Sequence, residues 1–103
     1  AAFTAYTQTY PGGALSGEAH FLRGEAEGKQ GAWAKAARAY LDSFSGAPSG
    51  GRAPDALYKL GVSLEQLGQR DEACLTLSEV GVRFPSSAAA ANARTARSEL
   101  ACP

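Results

Sequence analysis

Isoleucine does not occur in this chain, and valine occurs three times in 103 residues. A pleated surface is filled best by β-branched side chains, so this shortage excludes a sheet-based fold and predicts helices. An excess of one charge is missing too. Ten basic and ten acidic side chains leave a formal net charge of zero. Nucleic-acid modules are usually basic, and no basic stripe occurs here, so nucleic acid is not an expected partner. Zero is a sum, however, and can conceal acids gathered on one face and arginines elsewhere. Long apolar runs are absent: the longest is Ala88–Ala91. That excludes a spanning helix, which needs about 20 apolar residues, and no direct membrane insertion is expected. No charged segment precedes an apolar one, so no signal peptide is expected within the chain.

Catalytic patterns are equally scarce. No paired-acid motif, phosphate-cradling glycine loop or metal-ligand cluster occurs, so no catalytic residue, cofactor or metal is expected. The single histidine, His20, falls at an interior helix position and reads as structural. Ser43, Ser45, Ser49, Ser86 and Ser87 read as cap and turn residues. Gly50-Gly51-Arg52 reads as a linker. The two cysteines, Cys74 and Cys102, lack metal or redox spacing. They admit two readings. A disulfide would close about 27 residues and add on the order of 3 kcal/mol; otherwise Cys74 is a buried thiol and Cys102 an exposed one.

What the chain does hold is small residues, 22 alanines and 12 glycines, which suit closely approaching helices. They recur. Ala19-His20-Phe21-Leu22-Arg23-Gly24 aligns with Ala56-Leu57-Tyr58-Lys59-Leu60-Gly61. At the same offset of 37, Gly31 meets Gly68, Ala36 meets Ala73, Tyr40 meets Leu77 and Pro48 meets Pro85. Phe44 departs by meeting Gly81. Backwards, Pro48 meets Pro11 and Tyr40 meets Phe3. The chain therefore reads as one domain, 1–103, with the tail of an earlier copy at 1–11, repeats at 16–48 and 53–85, and a capping helix at 86–101.

Each unit reads as a helical hairpin. Over 16–30, Ala19, Leu22 and Ala26 sit at helical spacing, and Gly31 supplies a left-handed helix end. Over 32–44, Ala36, Ala37, Tyr40, Leu41 and Phe44 form a stripe, stopped at Pro48. The second unit opens at Pro54, suited to a first turn. Its stripe is Ala56, Leu57, Leu60, Leu64 and Leu67, ended by Gly68. A helix over 70–83 carries Asp71 near its start and Arg83 near its end, as the helix dipole favours. Ser86 or Ser87 can cap the last helix, whose exposed face carries Arg94, Arg97 and Glu99.

These marks resemble the tetratricopeptide repeat (TPR). Gly24, Gly31, Ala36, Tyr40 and Pro48 match its pattern in one copy, and Leu57, Leu60, Gly61, Gly68, Ala73 and Pro85 in the other. His20, Arg23 and Leu77 depart from it, and the Gly46–Gly51 connection takes up three extra residues. The resemblance implies an all-α fold, a short right-handed α-solenoid of TPR hairpins, and a non-enzymatic interaction module. Essentially the whole chain, and best residues 53–100, from Ala53-Pro54-Asp55-Ala56-Leu57-Tyr58-Lys59-Leu60-Gly61 to Arg97-Ser98-Glu99-Leu100, is also similar to the C-terminal domain of YbgF/CpoB-type cell division coordinators of the Tol–Pal system. That family implies a periplasmic protein trimerised by an N-terminal coiled coil that this chain does not contain. It implies TolA as partner, a link to peptidoglycan synthases, and coupling of outer-membrane constriction to septal peptidoglycan synthesis. The chain itself is then an excised domain, a monomer or weak dimer. The alternative is a TPR scaffold of another envelope complex, such as outer-membrane protein assembly.

By TPR alignment the first helix of each pair lines a concave groove. The expected groove residues are Glu18, Phe21, Glu25 and Lys29; Asp55, Tyr58, Val62, Glu65 and Gln66; and Asn92, Thr95 and Glu99. Five acids stand against one lysine, with Phe21 and Tyr58 side by side as an aromatic floor. Such a groove suits a basic, alanine-rich helix, as the central region of TolA is in the resembled system. The other reading is a solvated acidic face, with Phe21 and Tyr58 packed against a neighbouring helix. Glu25 also speaks against a carboxylate-clamp groove. Trp33 reads as hairpin packing or a partner hot spot. Phe3 and Tyr6 belong to a second helix without its partner and offer a face for self-association.

Overall fold

A computed structural model of the chain describes residues 14–103. The tail expected at 1–11, with Phe3 and Tyr6, lies outside the described residues. Within them the backbone forms five α-helices and no strand: α1 (Ala14–Lys29), α2 (Trp33–Gly46), α3 (Ala53–Gln66), α4 (Arg70–Arg83) and α5 (Ala88–Glu99). Successive helices pack as antiparallel neighbours. α1 also touches α3, and α3 touches α5, whereas the α2 and α4 backbones do not approach each other. The odd-numbered helices therefore line one side of a short solenoid of hairpins. The even-numbered ones stand on the other side, meeting only near their C-terminal ends. There Phe44 packs edge-on to Phe84, and the Arg83 guanidinium lies over the Phe44 ring.

The first helix of each hairpin ends the same way. Gly31 and Gly68 have φ of 73° and 79°. After α1, the Ala32 N–H donates to Glu27 O and the Gly31 N–H to Gly28 O; after α3, Gln69 and Gly68 donate to Leu64 and Glu65. These paired bonds are the Schellman closure, which calls for a left-handed residue and therefore favours glycine. α5 closes likewise, with Cys102 donating to Arg97 O and Ala101, at φ 55°, to Ser98 O. This turn stops α5 at Glu99, short of the expected 101. Its start is capped by Ser87, whose Oγ accepts from the Ala90 N–H at 3.0 Å.

Two core clusters run through the stack. Phe21, Ala36, Tyr40 and Ala56 form one; Leu57, Leu77, Val80, Ala89, Ala90 and Ala93 form the other. Phe44 and Leu60 touch both. Each buried Leu or Val contributes about 1.5–3 kcal/mol. The equivalent residues Ala36 and Ala73 are both fully buried. Gly24 and Gly61 also make equivalent contacts. A methyl group built on Gly24 would sit 2.7 Å from the Tyr40 ring, and one on Gly61 2.7 Å from Leu77 Cδ2. The 37-residue offset is thus a spacing of glycine-to-large-residue contacts.

Several expected stripe residues lie elsewhere. Leu22, Ala26, Leu41 and Leu67 are exposed. The buried faces are narrower than the stripes predict, because alanine and glycine bring the backbones close and leave fewer positions inside. The Ser43 side chain does not cap: it is buried in the last turn of α2 and donates to Gly17 O at 2.6 Å, tying α2 to α1. Cys74 and Cys102 form a disulfide, with Cα atoms 5.7 Å apart. It fastens the residues after α5 to the buried side of α4. Arg70 supports this turn by donating to Leu100 O and Ala101 O.

Candidate functional site

The twelve expected groove residues fall on α1, α3 and α5, the helices of one side. They do not form the uniform acidic surface expected. Three of the five acids are paired. Glu18 accepts two hydrogen bonds from Arg52, at 2.7 and 3.2 Å, and Asp55 lies 3.5 Å from the same guanidinium. The hydrogen bond that Arg52 donates to Glu18 raises the Arg52 pKa, against the opposing effect of partial burial. Glu25 accepts a hydrogen bond from the Tyr40 hydroxyl and lies 3.9 Å from Lys59 Nζ. Burial, then the bond to Glu25 and its charge, push the Tyr40 phenol far above its usual range. Arg52 and Lys59 therefore correct the acidic-groove expectation. Arg52 sits in the connection just before α3, and Lys59 one residue beyond Tyr58, so neither falls at an aligned groove position.

Phe21 requires a second correction. It is 5% exposed and is not a groove floor. Its ring packs 5.6 Å from Tyr40 and lies under the Arg52 guanidinium at 4.5 Å. Close approach of α1 to α2 over Gly24 puts this ring between α1, α2 and α3. Tyr58 is half-buried against the other cluster, with Leu57 and Leu77. The two aromatics thus belong to different cores, which is the packing alternative.

An open depression remains on this side. Glu25, Gly28, Lys29, Trp33, Tyr40, Lys59, Val62 and Ser63 enclose about 300 Å³ between α1, α2 and α3. Three of these residues, Glu25, Lys29 and Val62, are expected groove residues. Trp33, Tyr40 and Lys59 join them from positions the repeat alignment does not select. Half-buried Trp33 reaches the depression because Gly28 leaves room: a methyl there would meet the indole Cζ3 at 3.3 Å. The indole and Val62 supply apolar surface, while Lys29, Lys59 and Glu25 rim it with mixed charge. Glu65 and Gln66 near the end of α3 are exposed, as are Asn92, Thr95 and Glu99 on α5. Glu65 and Glu99 make no ion pair among the described residues.

His20 sits outside this surface. Its Nδ1 lies 3.0 Å from Arg23 Nη2, and Arg23 also binds Asp42 at 3.0 Å. A guanidinium only donates, so His20 accepts as the neutral ring. Burial, and then the Arg23 charge, lower its pKa; the Asp42 charge opposes them.

Residues 55–87, from the first turn of α3 to the cap of α5, match the tetratricopeptide repeat family. This segment is a TPR repeat. No curated protein matches the chain. The TPR match extends through the Gly61–Leu77 contact and the Gly68 helix end, whose counterparts in the preceding hairpin are Gly24–Tyr40 and Gly31. It identifies the repeat and carries no Tol–Pal identity with it. A TPR repeat suggests a protein–protein interaction module, and such repeats are typically non-catalytic.

Proposed function

We propose that this chain is the partner-binding domain of a Tol–Pal cell division coordinator, acting in the periplasm and recognising a lysine- and alanine-rich helix of TolA. Through TolA it would help to couple outer-membrane constriction to septal peptidoglycan synthesis, with a peptidoglycan synthase as a further partner. The likeness of residues 53–100 to that family supports the reading. So does the Cys74–Cys102 disulfide, since disulfides persist in oxidising compartments such as the periplasm.

The observation that carries the binding mode is the pairing pattern of the acids. Glu18, Glu25 and Asp55 are held by Arg52, Tyr40 and Lys59, while Glu65 and Glu99 stay exposed. A helix crossing α3 and α5 would place alanine methyls on the Trp33–Val62 surface and lysines against Glu65 and Glu99. Calorimetric titration of a TolA central-helix peptide at low salt tests this. Glu65→Lys together with Glu99→Lys should weaken binding about tenfold, or about 1.4 kcal/mol, and leave the melting temperature unchanged. Absence of binding to the wild-type domain rejects TolA as the partner. Equal affinity of the double variant rejects this surface.

A further inference from the structure

Among the described residues, the most exposed large apolar side chains are both on α4, away from the groove: Leu75 is 71% and Val82 70% exposed. They stand seven residues apart, two helical turns, and so share one face. Nothing among the described residues covers them. The flank of this face is charged in sequence order. Glu72 lies in the first turn, Glu79 in the middle and Arg83 at the end, and all three are exposed.

We propose that this face of α4 pairs antiparallel with α4 of a second copy of the chain. The order of residues makes the face complementary to itself only when it is reversed. A twofold axis perpendicular to α4, between Leu75 and Val82, puts Leu75 of each copy against Val82 of the other. The same axis keeps the charged flanks on one side of the pair and reverses their order. Arg83 of each copy then comes within a turn of Glu72 of the other. Glu79, nearest the axis, is neutralised by its own Arg83 at 2.8 Å. A parallel pair would send the charged flanks to opposite sides, so that Arg83 no longer meets Glu72 and Glu72 of each copy lies beside Asp71 of the other, which like-charge repulsion disfavours. An isologous contact of this kind closes at two copies and does not propagate. One helix pair is a small interface, below about 1,200 Å², so the dimer is weak and depends on concentration. Because α4 stands opposite α1, α3 and α5, both grooves stay open. The dimer is bivalent toward a partner with repeated binding segments, and gains avidity without new contacts.

Sedimentation equilibrium of the 103-residue chain over a concentration series tests the proposal. Wild type should show a monomer–dimer equilibrium. Leu75→Ser with Val82→Ser should raise the dissociation constant at least about tenfold with no loss of helicity by circular dichroism. Arg83→Glu should weaken the dimer, and adding Glu72→Arg with Glu79→Arg should restore it, because both the pair across the axis and the 79–83 pair within each helix are then reversed together. A monomer at millimolar concentration overturns the proposal. So does a dimer indifferent to the serine pair, or a charge swap that fails to restore association.

Discussion

Glycine has opposite consequences at two positions in this chain. Gly24 touches the Tyr40 ring, which is 2% exposed and tethered to Glu25, so the ring has nowhere to go. Gly24→Ala should destabilise the domain: overpacking of about 1–3 kcal/mol exceeds a helix-propensity gain of at most about 1 kcal/mol. Gly81, also helical, has nothing within 4 Å of an added methyl. Gly81→Ala should stabilise by up to about 1 kcal/mol. Urea denaturation of both variants checks the pair, and the same sign for both would refute the packing account. His20 sets a pH dependence. Its folded pKa lies below the unfolded value of 6.5, so the unfolded chain takes up protons more readily as pH falls. The stability linked to His20 is present above pH 6.5 and is lost as the pH drops below it. His20→Gln should flatten the fall in melting temperature between neutral and mildly acidic pH. An unchanged slope would mean that burial and the Arg23 charge do not hold the ring neutral in the folded chain.

At the scale of the element, three helices end in one motif with two different residues. α1 and α3 close on Gly31 and Gly68, while α5 closes on Ala101 at φ 55°. A side chain is disfavoured in that region, by about 1–2 kcal/mol per residue. Ala101→Gly should therefore stabilise the domain, by up to about 1 kcal/mol after glycine's greater unfolded entropy is counted. Thermal denaturation reads the gain, and a loss would show that the Ala101 methyl makes a compensating contact. The left-handed glycines at 31 and 68 are legible from sequence as helix stops. Ala101 is not, since alanine ordinarily continues a helix; the turn forms where Arg70 and Cys74 hold the chain after Leu100.

For the molecule as a whole, the disulfide ties the chain after α5 to the first half of α4, at one end of that hairpin. α5 contributes only alanines to the buried cluster, with Leu100 and Ala96 at its edge. Such a helix buries little apolar area and is the natural place for the stack to fray. The bond across 28 residues contributes about 3–4 kcal/mol by loop closure. Cys74→Ala with Cys102→Ser should lower the melting temperature by more than about 10 °C. Hydrogen exchange should speed up first in α5. Uniform acceleration over all five helices would instead make the domain a single cooperative unit.

The helices, their order and the repeat are written in the sequence itself. Glycine, alanine and proline at a fixed offset act locally, through backbone conformation and side-chain size, and local rules survive in any fold that joins the helices. The groove was only partly legible for the converse reason. Alignment selects positions on α1, α3 and α5, but Trp33, Tyr40, Arg52 and Lys59 reach that side from a helix start, a partner helix, a connection and a neighbouring position. Phe21 shares Tyr58's repeat position and lies in a different core, because only packing decides which helix a ring meets. The cysteine pairing was likewise open until the fold set Cys102 beside Cys74. Identity and spacing fix what a residue does to its own backbone; charge balance, exposure and partners depend on distances that exist only once the chain is folded.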